Sequence, residues 1–416
     1  MALTKPARGT SALRASAPAG GVKCKNMELS EIFPKDGHIQ HLYCDECSEY
    51  LDLTFRLFDE NVSGVHIRID GLPYLSCEKC NLHFLPEDSR FAIIYSHEQA
   101  TKKKSSVVNI TRNKTNVEYE FTNVPFIYDS DDYKYIPGLK RPFDEGFLTP
   151  VYFNREVLLK YDASPTYRLS FASTTYGEMR QGNDFSIPFG VNKNGNVIMW
   201  LGDIASLPET EQYYLRSENI EPDHSIGSEF YDGQIELKFT EHSKENALFK
   251  NRSVFLEECF KRFGVKIAHL DKEVYDLAIS FNAPIVDTEK ERRHIADTLN
   301  KIYLESFDNN ALGQIMNSFS QDPKSLGSIK RLQCIMGKIA NIDDVSNVIS
   351  PFYVLYDLRV AYSHLGSKEG NEKKLQYVKK RLGLSSKAGL LEIYSVLVDQ
   401  LDDSYDKFTS FVKKNT

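Results

Sequence analysis

The chain has 416 residues, of which 41% are hydrophobic, 26% charged and 12% aromatic, with a formal charge of −7. That length exceeds what one hydrophobic core usually organises and implies two or three domains, and the composition excludes a wholly disordered chain. The net acidity excludes coating of nucleic acid by bulk attraction, so any contact with RNA or DNA must be local.

Residues 1–22 are rich in Ala, Gly, Ser, Thr and Pro, carry Lys5, Arg8 and Arg14, and contain no acid. Such a segment cannot pack a core, so a disordered tail is expected over 1–26. A transit peptide has a similar composition, whereas the apolar stretch of a secretory signal is missing. No apolar run reaches the roughly 18 residues needed to span a bilayer, so a soluble chain with no membrane partner is expected.

The next region, 27–106, is defined by its cysteines. Cys44-Asp45-Glu46-Cys47 and Cys77-Glu78-Lys79-Cys80 are two knuckles, each offering two thiolates to one tetrahedral ion. Between them, 51–58 and 65–69 alternate with a period of two around a turn at 61–64, which predicts a hairpin. Four thiolates close a structural zinc site and leave no position for a catalytic water. Cys24, His38 and His41 are alternative ligands, or else ordinary solvated or packed side chains. Seven cysteines used in this way fit a reducing compartment, here the cytoplasm, rather than a disulfide framework. The stretch from Gly71 to Phe84 (GLPYLSCEKCNLHF) resembles the second half of zinc ribbons found in some bacterial antitoxins. The resemblance implies a small zinc-stabilised module of a kind that binds nucleic acid or a partner protein, and it implies no activity. The polar, basic stretch 101–106 reads as the loop that ends this region.

From 107 to 286 the chain is rich in Tyr, Phe, Val and Ile, with turn signals at Asp129-Ser130-Asp131-Asp132, at 192–196 and at Asp232-Gly233. A β-rich mixed domain is expected, with a hairpin over 191–200 turning on Asn194-Gly195 and a helix over 246–263. Pro222-Asp223 followed by Glu236-Leu237-Lys238 has the spacing of a metal-dependent nuclease pattern, in which two carboxylates hold magnesium and a lysine assists. The same residues also read as a proline turn leading into an amphipathic strand. Phosphate-binding glycine loops, a His-Glu-x-x-His helix and a Gly-x-Ser-x-Gly elbow are missing from the sequence, which removes support for ATPase, dehydrogenase, zinc protease and serine hydrolase chemistry.

Beyond Asp287 the hydrophobic period changes to 3.6. Helices are expected over 288–307, 311–319, 326–339, 351–365, 372–382 and 388–412, started by Asp287, by Ser350 with Pro351, and by Ser386. Residues 287–416 therefore form a helical bundle. The fold class is multidomain α+β: an N-terminal zinc ribbon, a β-rich middle and an all-α C-terminal bundle.

Near the end of the fourth expected helix, Arg359 and His364 stand with four residues between them. A guanidinium that stays charged can hold a phosphate, and an imidazole titrating near neutrality can move a proton. Arg90 and His97, which flank an apparent strand over 91–95, have a similar spacing without that context. Arg-x4-His on a helix of a C-terminal bundle resembles the HEPN superfamily, whose motif is Arg-x(4 to 6)-His. The resemblance implies a metal-independent endoribonuclease of a phage-defence or toxin–antitoxin system, with RNA as substrate and a homodimer that brings both copies of the motif to one cleft. It implies that His364 moves protons while Arg359 stabilises the phosphate, and that a phage-derived trigger or an antitoxin is a partner. The residue after the arginine, often polar in active members, is Val360 here. A five-residue offset also turns two side chains roughly 140° apart on an ideal helix. Asp357 is a candidate to orient Arg359, and Lys373, Lys374, Lys379, Lys380 and Arg381 are candidates to attract a phosphate backbone. The alternative is a non-catalytic sensor that uses the same modules to hold nucleic acid or a partner.

Overall fold

The computed structural model describes residues 26–33, 40–238, 243–341 and 345–414. The expected tail, Cys24 and His38 lie outside the described residues, apart from Asn26. The chain is mixed, with a β-rich N-terminal half and a helical C-terminal region, and it separates into two compact units. The first comprises Met1–Leu169 and Thr175–Thr240, the second Ser170–Thr174 and Glu241–Thr416.

The first unit opens with β1 (Asn26–Met27) and α1 (Leu29–Ile32), then forms β2 (Asp52–Val62), β3 (Val65–Cys77), β4 (Leu82–Phe84), α2 (Glu87–Lys102) and β5 (Val107–Thr111). Strands β2 and β3 make the expected hairpin, closed by Ser63 and Gly64, both with positive φ as a tight turn requires. Alternation on β3 buries Val65, Ile67 and Ile69 against Ile93, Ile94 and Ala100 of α2. The stretch 91–95 is therefore helix and not strand, and Arg90 and His97 both sit on α2. Strand β5 pairs in parallel with β3, so position 106 is not a boundary; the cysteine region and the following chain share one sheet.

The chain from 112 to 238 carries α3 (Ser130–Tyr135), β6 (Pro150–Phe153), α4 (Leu159–Ala163), β7 (Arg168–Phe171, of which Arg168 and Leu169 count with the first unit), β8 (Tyr176–Gln181), β9 (Phe185–Val191), β10 (Val197–Trp200), α5 (Leu201–Ala205), α6 (Glu209–Ser217), β11 (Asn219–Ile220) and α7 (Glu229–Gln234). Its sheet runs in the order β11-β6-β10-β9-β8-β7. The hairpin expected over 191–200 is β9 and β10, with Gly195 at φ +84° in the turn. Glu236-Leu237-Lys238 is not a strand; it follows α7, which itself contains Asp232 and Gly233. One core joins the cysteine knuckles to this sheet, with Leu51, Leu53 and Leu75 meeting Tyr152, Ile198 and Trp200.

The second unit is helical: α8 (Lys244–Phe263), α9 (Asp271–Ile279), α10 (Glu289–Asn300), α11 (Asn309–Ser318), α12 (Ser328–Ala340), α13 (Ser346–Ser363), α14 (Lys368–Arg381) and α15 (Leu390–Lys414). Helix α10 continues into a π-helical turn, Lys301–Glu305. Helix α8 packs along α15, so the helical unit starts near Glu241 and not at 287. Helices α10 to α15 fold close to where the 3.6 period placed them, α9 is not among the expected helices, and the helix starts follow local capping chemistry. Thr288 accepts from the Glu291 amide, Asp308 from those of Asn310 and Ala311, and Ser367 from that of Gly370. Asp287 instead receives Arg292 and the Leu390 amide. Helix α13 begins at Ser346, so Pro351 lies inside it and not at its first position.

Candidate functional sites

Each cysteine knuckle is a tight turn closed by a residue in the left-handed region four positions after its first cysteine, Ser48 at φ +58° and Asn81 at φ +53°. In the first, the Cys44 amide donates to Glu49 O and the Ser48 amide to Cys44 O, both at 2.8 Å. In the second, β3 and β4 pair Cys77 with Leu82, and the Cys80 amide donates to the Cys77 sulfur at 3.4 Å. Amides aimed at sulfur suit thiolate ligands.

The four sulfurs lie within 4.8 Å of one another, with Cys47 Sγ and Cys77 Sγ 3.5 Å apart. Sulfurs at about 2.3 Å around a tetrahedral ion stand roughly 3.8 Å apart, so this set fits one metal ion. Cys44 and Cys77 are buried and Cys47 and Cys80 partly so. Lys79 crosses between the knuckles to Glu49 at 2.8 Å, and Lys193 ties Glu78 at 2.8 Å to Asp52 at 2.5 Å. His41 is outside the cluster, its ring half exposed and paired with Glu236 at 3.1 Å.

Of the magnesium pattern, Lys238 stands 3.9 Å from Glu236, but Asp223 is engaged elsewhere. The Asp223 carboxylate accepts from the side-chain amides of Asn192, Asn194 and Asn196 at 2.8–3.0 Å, a cage that fixes the β9–β10 turn. Glu236 receives His41 and the Tyr231 hydroxyl, while Lys238 lies over the Tyr43 ring. Among the described residues, the four cysteines are the only grouping of ligand atoms fit for a metal.

Arg359 sits on α13 and turns toward the end of α10. Its Nε meets Asp297 at 3.4 Å and its Nη2 meets Glu305 at 3.1 Å, and the Asn300 side chain donates to the same Glu305 oxygen at 2.8 Å. Asp357 is not its partner; Asp357 pairs with Arg381 at 3.4 Å and Lys374 at 4.0 Å. His364 caps α13 with extended backbone and is exposed. It lines a hollow of about 540 Å³ with Arg292, Arg293, Tyr362 and Lys368, which Arg359 does not line. Burial holds the Tyr362 hydroxyl protonated, its pKa pushed up to about 12. Of the basic run, Lys373 pairs with Glu369 at 2.8 Å, Lys379 is buried on Ser386 O, and Arg381 also reaches Ser350.

A further polar cluster had no sequence signal beyond turn residues. His224 has φ +60°, an unusual backbone for histidine, and its Nδ1 is 2.8 Å from Oδ1 of the fully buried Asp132. Its Nε2 is 3.8 Å from Asp129, which Lys114 meets at 2.5 Å. Burial disfavours the charged ring, but the bond and attraction from Asp132, with Asp129 behind it, outweigh burial and raise the pKa of His224.

No family model, curated protein or solved structure matches this chain.

Proposed function

We propose that this chain is a metal-independent endoribonuclease of the HEPN type, with zinc held structurally by Cys44, Cys47, Cys77 and Cys80. The observation that carries the reading is His364, exposed at the end of an apolar bundle helix, in a hollow that also holds Arg292, Arg293 and Lys368. The imidazole takes the proton of an RNA 2′-hydroxyl as that oxygen attacks the adjacent phosphorus, and a protonated imidazole returns a proton to the leaving 5′-oxygen. Guanidinium groups stabilise the charge that builds on the phosphoryl oxygens. Because Arg359 and His364 of one chain do not line the same hollow, the reading requires a homodimer in which a second copy completes the cleft.

The test is cleavage of RNA with a chelator present. His364→Ala and Arg359→Ala, each folded and dimeric, should lose about 100-fold or more of the rate. Cleavage unaltered in both sinks the assignment.

The carboxylates that hold Arg359 favour a second reading, a non-catalytic sensor that binds nucleic acid or a partner with the same modules. A folded dimer that cuts none of a varied RNA set yet retains RNA or partner stably would select it.

A further inference from the structure

A hollow of about 830 Å³ in the first unit lies between the irregular segment after β5, helix α3 and the loop that follows it. Its size falls within the range of small-molecule sites. The hollow is built rather than incidental. Asn116 Oδ1 accepts from the Ser130 amide at 2.9 Å, Ser130 Oγ accepts from the Val117 amide at 3.0 Å, and the Tyr128 hydroxyl accepts from the Tyr119 amide at 2.8 Å. These bonds pin one wall to α3 by side chains where no strand pairing is present. On the opposite side, the Tyr133 hydroxyl accepts from the Arg141 amide at 3.0 Å. Gly146, at φ +84°, passes so close beneath Tyr119 that a Cβ there would come within 2.3 Å of the ring.

The lining is cationic and aromatic. Arg112, Lys134, Lys140 and Arg141 face two acids, Asp131 and Glu145, and three tyrosines, 119, 133 and 135, complete it. Arg112 is held against Asp131 with its guanidinium over the rings of Tyr135 at 5.3 Å and Phe55 at 5.5 Å. Lys140 is matched by Asp88. Lys134 and Arg141 are different: both are exposed, lie over aromatic rings, and have no carboxylate within ion-pair distance among the described residues. Two exposed cations outside any ion pair among the described residues, with Arg141 acting on the Asp203 carboxylate only at longer range, stand beside flat phenol rings and suit a ligand that joins multiple negative charges to a planar heterocycle. We propose that this hollow binds a nucleoside diphosphate or triphosphate, with Lys134 and Arg141 on the phosphates and the tyrosine wall against the base. The ribonuclease reading is not needed for this site and does not supply its ligand.

The experiment is isothermal titration of the full, zinc-loaded chain with ADP, GDP, CDP and UDP, and with adenosine, pyrophosphate and a short single-stranded RNA as comparisons. One nucleotide should bind saturably, and Lys134→Glu and Arg141→Glu should each weaken it about tenfold or more, as loss of a charged hydrogen bond does. Both side chains are exposed, so the variants should keep the thermal midpoint of the parent; Lys134→Arg should keep binding. Gly146→Ala, which displaces Tyr119, should weaken the nucleotide more than pyrophosphate. The proposal is overturned by no saturable nucleotide binding at millimolar concentration, or by binding indifferent to both charge reversals. It is equally overturned if adenosine or pyrophosphate alone matches the nucleotide, or if the RNA binds these residues more tightly than any mononucleotide.

Discussion

Stripping the proposed zinc from the four-cysteine centre should destabilise the whole first unit and not just its edge. Cys44 and Cys77 are 2% and 1% exposed and belong to the core that contains Leu51, Leu75 and Trp200. A structural zinc held with an apparent ~12 kcal/mol, within the zinc-finger range, dissociates at roughly nanomolar concentration. At ~10 µM free zinc, linkage then stabilises the native state by about 5 kcal/mol. In a unit of this size class, that corresponds to a midpoint shift of roughly 10–20 °C. Trp200 is the only tryptophan of the chain and is buried in the same core, so its fluorescence reads this unit separately from the helical one. The expected result is one zinc per chain by atomic emission, a Trp200 transition lowered by that amount in chelator, and the same lowering in Cys77→Ser. An unchanged Trp200 midpoint in metal-free protein would refute the argument.

Glu211 is a buried hub: it receives Lys160 at 2.7 and 2.8 Å, Tyr161 at 3.0 Å and Tyr167 at 2.7 Å. Glu211→Ala strands the Lys160 ammonium among tyrosine rings and should cost about 3–5 kcal/mol in urea unfolding, whereas Glu211→Leu with Lys160→Met should recover most of it. His224 faces Asp132, Asp129 and Lys114, and its raised pKa means that the folded chain binds its proton more tightly than the unfolded one. That stabilisation is full below the unfolded value near ~6.5 and is lost as pH rises through the higher folded value. An imidazole proton resonance of His224 titrating below the ordinary value, or a stability profile that His224→Gln leaves unaltered, would contradict it.

The parts of the fold that obey one simple period were legible. Strands β2 and β3 alternate in the sequence because one face packs under α2, and the two C-x-x-C pairs announce their own geometry. Helix α2 was not legible because its buried stripe includes Ser89, Ser96 and Ala100, while Phe91 and Tyr95 are 51% and 63% exposed. The apolar cluster at 91–95 thus marks no face of a helix and imitates a short strand. Pro351 imitates a helix start, yet α13 has already run from Ser346, with Ile349 and Phe352 buried on either side. The tyrosine-lined hollow and the His224 cluster were out of reach for a different reason. The hollow is lined from a single stretch, 112–145, that is mostly irregular and so carries no period, while His224 meets Asp132 from far along the chain, each segment alone reading as a turn.

Arg359 and His364 show what spacing alone leaves open. The five-residue offset predicts side chains that diverge, and they do: α13 ends at Ser363, His364 opens to solvent, and Arg359 turns to Asp297 and Glu305. The second acid belongs to the π-helical turn after α10, where the extra residue in the turn alters the facing that an unbroken α-helix would give. These pairs are part-exposed, with Arg359 at 31%, Asp297 at 39% and Glu305 at 47%, so each is worth no more than about 1 kcal/mol to the fold. Asp297→Asn with Glu305→Gln should therefore leave the thermal midpoint of the helical unit nearly unchanged. If Arg359 acts on a phosphate, the double variant frees its charge, and RNA should bind more tightly and be cut at least as fast as by the parent. If the acids instead hold Arg359 in its working position, cleavage falls as far as in Arg359→Ala. That result would show that the ion pairs are part of the site, and the idea that they compete with RNA would be wrong.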